Sequence, residues 1–199
     1  MSTDGRVARG ERTRDAIIEA HTGLLREGVL KPTGRVIADR AGVSVRTLWA
    51  NFKDLEALLQ ATTAYWDAAD QQLLVTVDPA RPLAERVEAF CVQRGQRLEH
   101  LAPAARSAAL GEPFSEALAR SRQTHIDRLQ SEIEALFAGE LASAAAAGDE
   151  TLKYALITAT GWPTWQLLHD DLNLSSDEVV AVMRTTCHAL LDPVARTSG

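Results

Sequence analysis

Apolar residues recur at helical spacing along almost the whole chain. Ile17 and Leu24 are seven residues apart, as are Ile18 and Leu25, so all four share one stripe of a helix. Strand-like alternation is scarce. Its best example, Leu73–Val77, is too short and too isolated to start a sheet. The pattern therefore predicts an all-α fold of about nine helices.

Capping and stop residues divide this pattern into helices. Gly28 is a stop signal, and Thr33, Ser44 and Asp54 stand where they can cap the second, third and fourth helices. Ser175, with Glu178 three residues later, predicts a capping box on the last helix.

Prolines and further stop signals set the expected bounds of the later helices. A fifth helix is predicted from Leu83 to near Pro103, followed by a short one over Ala104–Leu110. Glu112-Pro113 is expected to open a long helix through Phe137. The alanine-rich stretch Ala142–Gly148 is either a continuation of that helix or a loop. Two more helices are predicted at Asp149–Leu172 and Ser175–Leu191.

The composition is that of an ordinary soluble globular protein, with 46% hydrophobic and 24% charged residues. The amino terminus lacks the apolar segment of a secretory signal, and no apolar run is long enough to span a bilayer. The two cysteines, Cys91 and Cys187, suggest neither a metal site nor a disulfide framework. We therefore expect a cytoplasmic protein without a membrane partner.

Enzyme and metal motifs are missing from the sequence. None of the five histidines forms an H-x-x-x-H pair, and no nucleophile elbow, phosphate-binding loop or dinucleotide loop occurs. We expect no metal, no cofactor and no enzymatic activity.

Charge is distributed unevenly around a net value of −6. Residues 1–53 hold ten of the 21 Lys and Arg and six of the 27 Asp and Glu, so this quarter carries +4 and the remainder −10. Such asymmetry is compatible with one end facing a polyanion, and equally with a solvated surface of uneven charge.

Residues 33–52 carry the strongest functional signal. Two short amphipathic helices are joined by Ala41–Ser44, where Gly42 permits a sharp change of direction. Ser44 caps the second helix, and Val45, Arg46 and Thr47 then point outward from its start. This is the arrangement of a helix-turn-helix, although an ordinary αα-hairpin has the same turn.

The order of residues beyond the turn resembles the TetR/AcrR family of bacterial transcriptional repressors. The resemblance covers roughly residues 12–60. It rests on a first helix ending at Gly28, followed by Thr33, Ile37-Ala38, Ala41–Ser44, Thr47–Trp49, Phe52, Glu56 and Leu58-Leu59. It implies a DNA-binding domain, here residues 1–53, and a ligand-binding and dimerisation domain, here residues 54–199.

The resemblance also assigns roles within the DNA-binding domain. Thr33 would cap the second helix and meet a phosphate, Ser44 would cap the third, and Val45, Arg46 and Thr47 would face bases. Trp49 replaces the usual tyrosine and Asn51 a common histidine; both can still donate to phosphate. Leu55 replaces a lysine and cannot contact phosphate, so we expect Lys53 to substitute, together with the amide groups at the start of the fourth helix.

The arginines before the first helical stripe have two interpretations. Arg6, Arg9, Arg12 and Arg14 can form an arm that reaches the minor groove, or they can belong to a frayed, solvated terminus. The second interpretation is favoured for Arg6.

The last two predicted helices, Asp149–Leu172 and Ser175–Leu191, are apolar on two faces. Two apolar stripes indicate burial on both sides, either within one chain or against a partner. The resemblance implies that these helices pair with their copies in a homodimer, which would read a palindromic DNA site.

A ligand pocket is expected near Gly161–Trp165, where Pro163 should kink the helix. Aromatic side chains could form its walls, although aromatic residues at helical spacing are more often core. Polar groups could come from His100, His125, Gln93 or Thr158. The candidate pocket residues are Trp66, Phe90, His125, Trp162 and Trp165.

Together these features predict a homodimeric, ligand-responsive regulator that binds double-stranded DNA and acts as a repressor. An unidentified small molecule would tilt the fourth helix and change the separation of the two recognition helices. The alternative is an all-helical small-molecule-binding or adaptor protein whose helix-turn-helix no longer binds DNA.

Overall fold

The chain is all-α, as its sequence pattern predicts. A computed structural model describes the backbone of residues 3–192 and the side chains of residues 7–192. Within those residues there are ten α-helices and no strand. They are α1 (Thr3–Arg26), α2 (Gly34–Arg40), α3 (Val45–Asn51), α4 (Leu55–Leu73), α5 (Leu83–Gly111), α6 (Glu116–Leu136), α7 (Ala138–Ala146), α8 (Leu152–Thr160), α9 (Trp162–Gln166) and α10 (Ser176–Leu191).

The predicted helix starts are confirmed wherever a local cap sets them. The side chains of Thr33 and Ser44 accept from the backbone amides of Val36 and Thr47, at the starts of α2 and α3. Asp54 does the same for α4, and Ser175 and Glu178 form both halves of a capping box on α10. Each cap satisfies an amide that its helix leaves without an internal partner.

The chain forms two compact units. The first unit holds residues up to Gln72 together with Leu101–Ser121, and the second holds Leu73–His100 and residues from Arg122 onward. No helix within residues 3–192 is both long and apolar enough to cross a membrane.

The core of the first unit joins α1, α2, α3 and α4. Ile17, Ile37, Leu48 and Leu58 are completely buried there, and Phe52 is 1% exposed. Helices as short as α2 and α3, with seven residues each, are unstable alone in water. Their persistence here therefore depends on this burial.

The second unit has its core along one stripe of α10. Val179, Met183, Cys187 and Leu191 lie four residues apart and are completely buried. α10 packs against α8, which contributes the buried residues Leu152 and Leu156. The other faces of these helices are partly exposed.

The predicted end of the fifth helix near Pro103 is wrong. α5 continues through the proline to Gly111, and the separate short helix over Ala104–Leu110 does not form. A proline in a helix removes only one backbone hydrogen bond. Leu98, Leu101 and Ala102 are buried around it, and their burial outweighs that loss.

The helix predicted to open at Glu112-Pro113 begins four residues later. Glu112–Phe114 forms one 3₁₀ turn, after which the Ser115 hydroxyl accepts from the Leu118 amide at the start of α6. α6 ends at Leu136 because the Arg86 guanidinium of α5 donates to the Leu136 carbonyl (2.7 Å) and also pairs with Glu140. Part of Ala142–Gly148 then belongs to α7.

The segment predicted as one kinked helix, Asp149–Leu172, is broken rather than kinked. α8 ends at Thr160, Gly161 is extended, and α9 restarts with Pro163 in its first turn. The freed Thr160 carbonyl accepts from Arg94 Nε (2.9 Å), and the Thr164 hydroxyl donates to the Thr158 carbonyl. A π-helical turn at Leu167–Asp171 follows α9.

A buried histidine joins α1 to α4 in the first unit. His21 is 3% exposed, and its Nδ1 lies 3.0 Å from the Thr62 hydroxyl. That hydroxyl already donates to the Leu58 carbonyl, so it must accept from His21, which therefore carries its proton on Nδ1. Burial disfavours the imidazolium and lowers the pKa of His21 to about 4.

We predict that His21 makes folding stability depend on pH between about 4 and 6.5. In this window the unfolded chain binds a proton at His21 and the folded chain does not, so stability falls as the pH falls. The full change is roughly 3 kcal/mol. The free energy of unfolding, measured by urea unfolding at several pH values, should fall less steeply with falling pH in His21→Gln than in wild type. The control His188→Gln on α10 should keep the wild-type dependence on pH. An unchanged slope in His21→Gln would contradict the assignment.

Candidate functional site

α2 and α3 are joined by a tight turn around Gly42. Gly42 has a φ of +68°, which glycine adopts without steric cost. The amides of Gly42 and Val43 donate to the carbonyls of Asp39 and Ala38, which closes the end of α2. Ser44 then starts α3, so the chain changes direction within four residues.

α3 has a buried face and an exposed face. Leu48 and Phe52 point into the core of the first unit, at 0% and 1% exposure. Val45, Arg46 and Trp49 lie on the exposed face, and Thr47 is half-buried. The predicted base-facing residues are thus at or near the surface, at the amino-terminal end of α3.

Several polar groups of the predicted site are engaged within their own helix. The Ser44 Oγ lies 2.8 Å from the Thr47 hydroxyl and accepts from the Thr47 amide. Asn51 Nδ2 donates to the Thr47 carbonyl at 2.8 Å, so this side chain turns back along α3. Arg46 extends from the exposed face between these contacts.

The indole of Trp49 lies against Gly34, the first residue of α2. A Cβ built on Gly34 would come within 2.6 Å of Trp49 Cζ2 and 3.3 Å of Cε2. Thr33, immediately before Gly34, is exposed and uses its hydroxyl to cap α2. Thr33 and Trp49 therefore lie on neighbouring parts of the surface.

Arg9, Arg12 and Arg14, for which the sequence left open a minor-groove arm or a frayed terminus, lie on a helix. α1 begins at Thr3, and Arg9 and Arg12 are exposed along it; the Arg6 side chain lies outside the described residues. Arg14 is exposed but contacts the end of α3: its guanidinium donates to the Asn51 carbonyl (2.9 Å) and lies 4.1 Å from the centre of the Phe52 ring. Arg14 thus holds the carboxy-terminal end of α3.

The segment after α3 offers one exposed cation. Lys53 is exposed, and Leu55 is 53% exposed. The amino terminus of α4 already has an anionic partner, because Asp54 Oδ1 accepts from the Ala57 amide. Glu56 points the other way and accepts from Ser115 Oγ and the Ala117 amide.

Other charges near the turn are partly paired. Arg40 donates to both carboxylate oxygens of Glu27, and this guanidinium holds the pKa of Glu27 below its ordinary value. Arg35 lies 3.9 Å from Asp39 in an exposed pair. Arg46 and Lys53 are therefore the cations of the α3 segment that are best placed for an anionic partner.

The five candidate pocket residues are divided between the two units. Trp66 lies in the first unit and is buried, whereas Phe90, His125, Trp162 and Trp165 lie in the second. Phe90 packs edge-on against Phe137, and the rings of Trp162 and Trp165 stack with centres 5.2 Å apart.

A groove of about 650 Å³ opens elsewhere in the second unit. The Gln93 amide forms hydrogen bonds with both backbone polar groups of Val75 and so holds the segment after α4 against α5. The run Leu73–Val77 contributes Val75 and Val77 to this groove, although in the sequence it indicated only a weak strand. The lining residues are Val75, Val77, Arg81, Ala84, Glu85, Glu88, Ala89, Val92, Gln93 and Gln96, none of them among the five.

The predicted pairing helices expose apolar side chains in the second unit. Tyr154 of α8 is 61% exposed and Val182 of α10 is 38% exposed, on faces that the core does not cover. Leu167 and Leu172 around the π-helical turn are also exposed.

Searches of protein-family models, curated proteins and solved structures found no match to this chain. Among the described side chains, no group of three or more His, Cys, Asp or Glu residues is arranged to hold a metal ion. The candidate functional site is therefore defined by the geometry of α2, the turn and α3.

Proposed function

We propose that the chain is a homodimeric, ligand-responsive transcriptional regulator of the TetR/AcrR type, and that it represses by binding double-stranded DNA. One observation supports this most directly: α3 buries Leu48 and Phe52 while its first turn exposes Val45 and Arg46. A recognition helix needs this division, because one face must be anchored while the amino-terminal end enters the major groove.

The exposed side chains of α3 suit the edges of base pairs. Arg46 has the paired donors that match O6 and N7 of guanine. Val45 and the methyl group of Thr47 suit the methyl group of thymine. In this proposal the first turn of α3 reads sequence.

Side chains around α3 suit the phosphate backbone. Lys53 supplies a positive charge, and the indole of Trp49, which lies against Gly34, supplies one N–H donor. Contacts of this kind set the position and orientation of the protein on the duplex. The +4 charge of residues 1–53, against −10 for the remainder, favours approach by this end.

The exposed apolar side chains of α8 and α10 support the dimer. Tyr154 and Val182 are large apolar side chains in water, which a second copy of the same helices would cover. A two-fold pair presents two copies of α3 to a palindromic site.

The groove in the second unit supports a small-molecule effector. Its volume of about 650 Å³ is within the range that accommodates drug-sized ligands, and its lining combines apolar residues such as Val75 and Val92 with polar ones such as Gln93. An effector that binds the DNA-free state better than the DNA-binding state weakens DNA binding. The change in binding free energy equals the difference in the effector's affinity for the two states, typically about 1–3 kcal/mol. We propose that this change operates through a tilt of α4.

Two observations favour the alternative of a small-molecule-binding or adaptor protein without DNA binding. Asn51 turns its amide back to the Thr47 carbonyl, and Leu55 takes the place of a lysine. Both reduce the number of phosphate contacts. Selection of bound duplexes from a random-sequence pool distinguishes the two proposals, because the adaptor would enrich no sequence.

We predict different effects for Arg46→Ala and Lys53→Ala on binding to a selected duplex. Arg46→Ala should cost roughly 1–3 kcal/mol and relax the preference at one base pair of each half-site. Lys53→Ala should weaken binding to all sequences alike and lower the salt slope by about one unit per protomer. Fluorescence anisotropy over a range of salt concentrations measures both.

Arg120→Ala is the matched control, since it removes an exposed arginine of α6 that is not part of the helix-turn-helix. It should leave both the base preference and the salt slope near wild type. Equal loss of base preference from Arg46→Ala and Lys53→Ala would contradict the division of roles.

We predict that Val182→Glu shifts the protein from dimer to monomer in sedimentation velocity. A carboxylate at this position would be buried without a partner in the proposed interface. Val92→Glu is the matched control, because Val92 has nearly the same exposure, 37%, on α5 of the same unit. A wild-type monomer at micromolar concentration would exclude the dimer, and equal dissociation by both variants would exclude this face.

A further inference from the structure

Gly34 occupies a helical position whose backbone does not require glycine. Gly28, Gly42 and Gly148 have positive φ angles of 86°, 68° and 84°, where glycine relieves strain. Gly34 has no such angle; it is the first residue of α2, directly after the Thr33 cap. Another property of glycine must therefore matter here.

The space above Gly34 is filled by Trp49. A Cβ at Gly34 would lie 2.6 Å from Cζ2 and 3.3 Å from Cε2 of the indole, and 3.6 Å from Cη2. The first distance is far below van der Waals contact. The atom it involves belongs to a rigid ring whose backbone is fixed by α3, so any side chain at residue 34 would push the indole out of its place.

The contact also determines where the indole N–H lies. Cε2, one of the ring atoms against Gly34, is bonded directly to Nε1. The donor is therefore held close to the start of α2, while the side chain remains 37% exposed. An indole displaced from Gly34 would carry this donor away from the start of α2.

We propose that Gly34 is a positioning residue for DNA binding: its missing side chain lets the Trp49 indole lie across the start of α2 and present Nε1–H to a phosphate. This inference rests on the proposed function. It makes Gly34 and Trp49 a coupled pair, in which the glycine matters only while the large donor ring is present. The smaller phenyl ring of a Trp49→Phe variant lacks the N–H donor, so it does not need the space above Gly34 to bind phosphate.

The test is a double-mutant cycle with Gly34→Ala and Trp49→Phe. Affinity is measured by fluorescence anisotropy on a duplex that the wild-type protein selects from a random-sequence pool. Gly34→Ala and Trp49→Phe should each weaken binding about tenfold, the loss of one hydrogen bond to a charged group. The double variant should bind within about twofold of Trp49→Phe alone, because residues in contact are not additive.

Gly139→Ala is the matched control. Gly139 is also near the start of its helix, α7, but a Cβ there would meet nothing within 4 Å. It should bind DNA as the wild type does. Thermal unfolding of each variant shows whether a change in affinity reflects a change in folding.

The outcomes separate this inference from the function on which it rests. If the wild type selects and binds a duplex but Gly34→Ala binds it equally well, the positioning role is wrong and the proposed function stands. The same conclusion follows if Gly34→Ala causes the same loss of DNA affinity in the Trp49→Phe variant as in the wild type. A wild type that selects no duplex overturns both. If Gly34→Ala fails to fold, the double variant decides: folding with the affinity of Trp49→Phe supports the proposal, and failure to fold contradicts it.

Discussion

The burial of Leu48 and Phe52 is the interaction on which the candidate site depends. α3 has only seven residues, and an isolated helix of that length has too few backbone hydrogen bonds to offset the entropy of ordering it. Both side chains are almost completely buried against α1, α2 and α4. Truncating either would cost about 3 kcal/mol or more. Because Leu48 and Phe52 fix which side of α3 faces the core, they also determine which of its side chains face solvent.

Two polar contacts then fix the ends of α3. Ser44 satisfies the Thr47 amide at the first turn, and Arg14 donates to the Asn51 carbonyl at the last residue. A guanidinium beside the carboxy-terminal carbonyls also interacts favourably with the helix dipole. Arg14, for which the sequence left open a minor-groove arm or a frayed terminus, is thus part of the frame that holds α3. A side chain on a rigid frame loses less entropy when it binds a partner.

Local signals explain what the sequence predicted well. Thr33, Ser44 and Asp54 cap helices that follow them directly, so their partners are three residues away and visible in the sequence. The two-faced character of α3 is also local, because Leu48 and Phe52 are four residues apart on one stripe. These local features predict the helix-turn-helix and its exposed residues from the sequence alone.

The predictions from sequence were wrong where residues far apart in the chain determine the local structure. α8 ends at Thr160, where Arg94 of α5, 66 residues earlier in the chain, donates to the freed carbonyl. Pro103 fails to end α5 because buried neighbours outweigh one lost hydrogen bond. The groove beside Val75 likewise depends on the distant Gln93 amide. No periodicity in the sequence carries such information.

The central claim is that the exposed face of α3 binds duplex DNA, and an NMR titration of the ¹⁵N-labelled protein with a selected duplex tests it most directly. The account predicts that the largest amide shifts map to Thr33, Gly34, Val45–Trp49 and Lys53. Saturating duplex that shifts no amide, or shifts concentrated on the acidic second unit with α3 unchanged, would contradict it.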